Sequence, residues 1–169
     1  MSFVDLNRSI ESTLVVAHNE WANVADVKTE LEPDLPPVPC FHAELNQVLL
    51  NLIVNSVHAI EEVQSFRPGR GLITIRTRRT GDWVEIQVSD TGSGIPPENY
   101  SKLFDPFFTT KEVGRGTGQG LPISRTIVVN KHHGEIYFES KLGEGTQFTV
   151  KLPLHPAMMG KNVAPRSSS

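Results

Sequence analysis

The run from Ala43 to about Val63 constrains this chain more than any other stretch. Leu45, Val48, Leu49, Leu52 and Ile60 recur at helical spacing, which predicts a long amphipathic helix whose apolar face needs a second layer to cover it. The helix carries a second stripe as well. At roughly 100° per residue, Gln47, Asn51, Asn55 and His58 fall within an arc roughly 80° wide. Amides cost free energy if they are buried without partners, so this stripe either faces solvent, caps a loop or meets a polar ligand.

The covering layer is legible in four alternating runs. Leu72–Thr77 and Trp83–Val88 alternate apolar and polar residues around a short Thr80-Gly81-Asp82 loop, the pattern of a hairpin. Glu135–Ser140 and Thr146–Leu152 repeat the pattern around Gly143-Glu144-Gly145. Before the long helix, Leu6 to about Val24 reads as helix, with Leu6, Ile10, Leu14, Val15 and Trp21 on one broad face. Val27–Leu31 reads as a strand, and the proline-rich Glu32–Pro37 as a loop. Beyond the second strand, Pro96 starts a short helix ending near Phe104, and residues 105–117 show no period and read as a loop. Leu121 to about Lys131 reads as helix with Gly134 as its C-terminal cap. Paired strands with interleaved helices predict an α/β two-layer sandwich: a mixed, mainly antiparallel sheet covered on one face by helices. The domain is expected over residues 1–156, with 157–169 as a disordered tail or linker.

Bulk properties remove several function classes. A net charge of −3 over 169 residues gives no reason to expect nucleic acid as a partner. Cys40 is the single cysteine, so an internal disulfide is impossible and a cysteine-based zinc site is disfavoured. No apolar run approaches the roughly 20 residues of a membrane span, and the N-terminus lacks signal-peptide character, so a cytoplasmic location without membrane contact by this domain is expected. His18, His42, His132 and His133 fall in no metal-ligand pattern and are expected at the surface or in packing.

Chemistry concentrates between residues 90 and 121. Asp90 follows a strand and precedes Thr91-Gly92-Ser93-Gly94; its carboxylate could accept from an exocyclic amine, with the glycines leaving room for a flat ring. It could equally be a turn aspartate bonded to its own backbone. Asp-Thr-Gly also occurs in aspartic proteases, but the helices here argue against that fold. Gly114-Arg115-Gly116-Thr117-Gly118-Gln119-Gly120-Leu121 opens a helix and is suited to an anion through free N–H groups and the helix dipole. It is neither a Walker loop nor a Rossmann fingerprint.

In combination these segments resemble the catalytic and ATP-binding domain of sensor histidine kinases. Asn51–Ala59 resembles their N box, Asp90–Ile95 the first glycine box, Leu103–Lys111 the F box, and Gly116–Leu121 the second glycine box. Gly143–Phe148 followed by Leu152-Pro153 is similar to their closing strand. The resemblance runs from about Leu6 to Leu154 and implies a Bergerat-type fold, with ATP and Mg²⁺ bound. It implies that Asn55 coordinates Mg²⁺ with Asn51 beside it, as the catalytic pair, and that Asp90 accepts from the adenine amine, supported by Thr146 through water. Gly92, Gly94 and Ile95 are expected to line the adenine pocket. The resemblance also implies a lid over residues 105–117, and Phe104, Thr110, Lys111, Arg115, Gly116, Thr117, Gly118, Gln119, Gly120 and Leu121 as further nucleotide contacts. His58 stands where many related kinases carry Lys, and as a neutral imidazole it supplies less charge to the phosphates. Ser56 replaces a more usual Ala.

The resemblance implies transfer of the γ-phosphate to a histidine on a separate helical dimerisation domain, and a downstream response-regulator receiver domain. His18 lies too close to the N box and lacks the flanking pattern of that acceptor. Two other readings stand beside this one: a Bergerat-type ATPase driving a conformational cycle, and a non-catalytic nucleotide-binding regulatory module. The resembling ATPases place a Glu as general base one turn before the Mg²⁺-binding Asn. Here that residue is Asn51, and an amide cannot take a proton at neutral pH.

Overall fold

In a computed structural model, residues 1–105 and 120–155 are described. The chain opens with a short strand β1 (Ser2–Val4), followed by helices α1 (Leu6–Val16) and α2 (His18–Trp21) and strand β2 (Ala25–Glu30). Strand β3 (Val38–Cys40) leads into the long helix α3 (His42–Gln64). Strands β4 (Gly71–Thr80) and β5 (Trp83–Asp90) form the first hairpin, and a 3₁₀ turn covers Pro97–Lys102. Helix α4 (Gly120–Arg125) continues into a π-helical turn, Thr126–Lys131, before strands β6 (Glu135–Lys141) and β7 (Gly145–Pro153).

Five strands form one sheet in the order β2-β4-β5-β7-β6, parallel only between β2 and β4. Alternation turns Ile73, Ile75, Ile86, Val88, Phe148 and Val150 to one face, where they are buried with Leu45, Leu49, Leu52 and Ile53 of α3 and Leu6 and Ile10 of α1. The other face is polar: Arg76 meets Glu30, Arg78 meets Glu85, and the Lys151 ammonium lies 5.1 Å from the Trp83 ring centre. Lys28 and Arg76 together hold the Glu30 carboxyl below the usual carboxylate range. This is the two-layer arrangement that the alternating runs predict.

Three local expectations need correction, and one short strand pair adds to them. The helix expected from Leu6 to Val24 breaks at Ala17, and the Trp21 indole N–H reaches back to donate to the Leu14 carbonyl at 3.0 Å. Val15, expected on the apolar face, is 76% exposed, because at about 100° per residue it lies on the side of α1 opposite Leu6. β1 and β3, three residues each, pair antiparallel with Phe3 opposite Pro39; strands this short leave no periodicity to read. At the end of the π turn, His133 rather than Gly134 takes the left-handed conformation, with φ 56°. Gly134 is needed for another reason: a Cβ there would lie 2.2 Å from the Lys151 carbonyl oxygen on β7.

His132 is a packing residue, as expected of it. It is 2% exposed; Nδ1–H donates to the Ile127 carbonyl at 2.8 Å, and Nε2 accepts from the Phe41 N–H at 2.9 Å. These bonds fix its tautomer and fasten the start of α3 to the end of the π turn.

Candidate nucleotide-binding site

Asp90 is the last residue of β5, flanked by Ile73 of β4 and Thr146 of β7. Its side chain is buried, and Oδ1 accepts from the Gly92 N–H at 2.8 Å. The turn-aspartate bond anticipated as the plainer reading of this residue is therefore present, and it orients the carboxylate.

The turn after Asp90 is pressed onto α3. A Cβ on Gly92 would lie 2.5 Å from the Ala59 carbonyl carbon, and the Ser93 N–H donates to the Ala59 carbonyl at 3.0 Å. Ala59 is one helical turn beyond Asn55, so the turn after Asp90 packs on α3 close to the asparagine stripe. Gly94 has φ +76°, and a Cβ on it would come within 2.4 Å of the Lys141 carbonyl oxygen. No other residue type meets both conditions.

The far wall is a short chain of hydroxyls. The Ile95 N–H donates to Ser140 Oγ at 2.8 Å, and Ser140 Oγ lies 2.8 Å from Thr146 Oγ1. Ile95 itself packs on the core. Phe104 sits in an aromatic cluster, 6.4 Å from Phe138 between ring centres, with Tyr100 and Phe148 also against Phe138.

Two turns nearer the N-terminus of α3 than Ala59, Asn51 Nδ2 donates to the Gly120 carbonyl at 3.2 Å and to Ser124 Oγ at 3.3 Å. The first glycine of α4 is thereby held against the N-terminal half of the asparagine stripe. Leu121 packs against the core, while Asn55 and His58 are half-buried. An open cleft of about 350 Å³ lies behind the Asp90–Thr146 wall, over the ends of β5, β6 and β7, and contains no residue of α3.

Residues 42–156 match the family model described as histidine kinase-, DNA gyrase B-, and HSP90-like ATPase. The chain belongs to this family. Within it, the chain is 31% identical to a nucleotide-free form of the catalytic domain of histidine kinase ThkA, with a TM-score of 0.78 over 93% of this chain and 99% of that one. It is 39% identical to the signal transduction histidine-protein kinase AtoS of Escherichia coli (strain K12), over 90% of this chain and 24% of AtoS. It therefore spans about a quarter of that relative's length. ThkA in complex with the response regulator protein TrrA is also similar, at 29% identity and TM-score 0.74, over 92% of this chain and 42% of that one.

The histidine-kinase resemblance and the α/β sandwich expected from sequence are thus borne out. Of the expected site residues, Asn51, Asn55, His58, Asp90, Gly92, Gly94, Ile95, Phe104, Gly120, Leu121 and Thr146 are described; Thr110, Lys111, Arg115, Gly116, Thr117, Gly118 and Gln119 lie outside the described residues, as does most of the expected lid and the expected tail. Ser124 and Ser140 join the site without having been anticipated. A polar residue on the inward face of β6, otherwise formed by Ile136 and Phe138, is the signal that marks Ser140. Among the described residues no helix is long and apolar enough to cross a membrane.

Proposed function

We propose that this chain is the catalytic domain of a two-component sensor kinase. In this reading it binds ATP between α3 and the Asp90–Ile95 turn and delivers the γ-phosphate to a histidine on a separate helical dimerisation domain. The observation that supports this most directly is the packing of the turn after Asp90 on α3. A buried, oriented carboxylate stands at the end of a central strand, and its glycine turn meets the helix one turn from Asn55.

Asp90 would accept from the adenine amine, with Thr146 beside it through water and Gly92, Gly94 and Ile95 against the base. The residues present fit Mg²⁺ as well. Among the described residues no group of three or more His, Cys, Asp or Glu side chains could enclose a metal ion. The donor set is instead an amide oxygen, that of Asn55, which suits a hard cation that keeps several waters and takes phosphate oxygens. Bound there, Mg²⁺ would neutralise phosphate charge. His58, Phe104, Thr110, Lys111, Arg115, Gly116, Thr117, Gly118, Gln119, Gly120 and Leu121 are proposed as the remaining nucleotide contacts, those of the lid closing over the phosphates and excluding water.

Phosphoryl transfer rests on positioning and electrostatics more than on covalent work by the protein. Asn51 supports transfer over hydrolysis: its amide cannot act as a base, and its N–H₂ is already committed to Gly120 and Ser124. The proposed partners are the dimerisation domain of the same kinase and a response-regulator receiver domain, both in the cytoplasm. Incubating this chain with radiolabelled ATP and isolated candidate dimerisation domains tests the reading. Acid-labile label on one of those domains is the expected outcome. Release of inorganic phosphate with no label on any of them would favour the ATPase reading.

A further inference from the structure

The segment between α3 and β4 carries a residue that no motif marks. Arg67 sits just past the end of α3, its own N–H bonded to the Val63 carbonyl at 2.9 Å. Its guanidinium spans two turns: Nη1 donates to the Thr91 carbonyl at 2.5 Å and Nη2 to the Gly143 carbonyl at 2.6 Å. Thr91 opens the glycine turn after Asp90, and Gly143 is the tip of the β6–β7 hairpin. Both partners are main-chain carbonyls, a use of arginine that follows from its planar fork of donors.

Other bonds tie the same three pieces. The Gly143 N–H donates to the Ser93 carbonyl at 2.7 Å, and Ser93 Oγ donates to Glu62 Oε1 of α3 at 2.5 Å. The spacing between glycine turn and hairpin is therefore set from α3. That spacing positions Gly94 against Lys141 and Ile95 against Ser140, the contacts that build the base wall.

From this geometry we infer that Arg67 is a positioning residue for the base end of the nucleotide pocket, acting through Thr91 and Gly143 and governing affinity for the purine rather than for the phosphates. The inference rests on the ATP-binding reading above. Without the guanidinium, two carbonyls lose a shared charged donor and the turn and hairpin are held only by the remaining Gly143–Ser93 and Ile95–Ser140 bonds, whereas Asn51 keeps its contacts with α4 at the phosphate end. A lysine can serve one carbonyl at a time and should restore binding in part.

The test is a displacement titration on the 169-residue chain. A ribose-labelled fluorescent ADP is competed off by ATP, by GTP and by Mg²⁺-tripolyphosphate, for the wild type and for Arg67→Ala and Arg67→Lys. Direct titration of the label sets its affinity for each protein, and thermal melts confirm that each is folded. Arg67→Ala is expected to weaken ATP by at least about tenfold while tripolyphosphate changes by less than about twofold, with Arg67→Lys intermediate. The preference for ATP over GTP should narrow accordingly. Unchanged ATP affinity in Arg67→Ala, or equal losses for ATP and tripolyphosphate, would overturn the inference. A wild-type chain that binds neither labelled ADP nor ATP would instead overturn the nucleotide-binding reading, and this inference with it.

Discussion

The side-chain amide of Asn51 donates to the carbonyl of Gly120 across 3.2 Å, joining the middle of α3 to the first residue of α4. The two are far apart in the chain, and the bond ties the start of α4 to the middle of α3. Asn51→Ala removes this donor and the one to Ser124. A decrease in stability of about 0.5–1.5 kcal/mol is expected. Faster amide hydrogen exchange confined to residues 120–124 is the accompanying signature; uniform acceleration across the sheet would contradict a local role.

Asp90→Asn keeps the size of the side chain and its acceptor to Gly92 but removes the charge. The loss of ATP affinity is expected to exceed about tenfold by calorimetric titration, because a charge-assisted bond to the adenine amine is replaced by a neutral one. Unchanged affinity would remove Asp90 from the base site.

Asn55→Ala addresses the proposed phosphate end of the site. Nucleotide affinity in the presence of EDTA should stay close to that of the wild type, while the gain on adding Mg²⁺ disappears. A variant with the full Mg²⁺ response would show that the metal is held elsewhere.

Gly92→Ala is expected to be more damaging than its single methyl suggests. The added Cβ meets backbone and Cβ atoms of Ala59 near 2.5 Å, and helix backbone does not yield as a flexible side chain would. A loss of about 1–3 kcal/mol in urea unfolding is expected, together with loss of ATP binding as the turn lifts from α3.

Cys40 offers a pH-dependent test of core integrity. It is fully buried on β3, and burial pushes its thiol up to about 11 from an ordinary 9.0. The native chain should resist thiol reagents at neutral pH and react fully in denaturant. Between the two values the unfolded thiol ionises while the folded one does not, so the unfolded state binds fewer protons and this contribution to stability falls as pH rises. A Cys40→Ala variant should show a shallower decline over that window.

Long, periodic elements were legible because their pattern repeats. The apolar face of α3 and the alternation of β4, β5, β6 and β7 led directly to the layer arrangement. Asp90, Gly92 and Gly94 were marked by the composition of one turn. What escaped notice acts through single contacts. Arg67 lies in a polar loop and looks like any solvated charge; only the meeting of Thr91 and Gly143 in space gives its fork a purpose. Ser124 lies in the helix opened by the glycine-rich segment, and its partner is on α3. His132 was expected in packing or at the surface, but its particular partners, Ile127 and Phe41 at the start of α3, are brought to it only by the fold. The left-handed residue at the π turn was assigned to the wrong neighbour because glycine is the commoner choice there, whereas here glycine serves a close approach to β7.

The pairing of Asp90 with Thr146 has a consequence for synthesis and folding. β5 and β7 are neighbours in the sheet, yet the whole of the candidate lid, α4 and β6 lie between them in the chain. The β4–β5 hairpin can form early from local contacts, but the Asp90 carboxylate acquires its Thr146 neighbour only when the last strand inserts between β5 and β6. A chain still emerging from the ribosome, or one shortened before β7, carries every residue of α3 and of the turn after Asp90 and still lacks a finished base wall. Nucleotide binding in the manner proposed above would then require β7 to be in place.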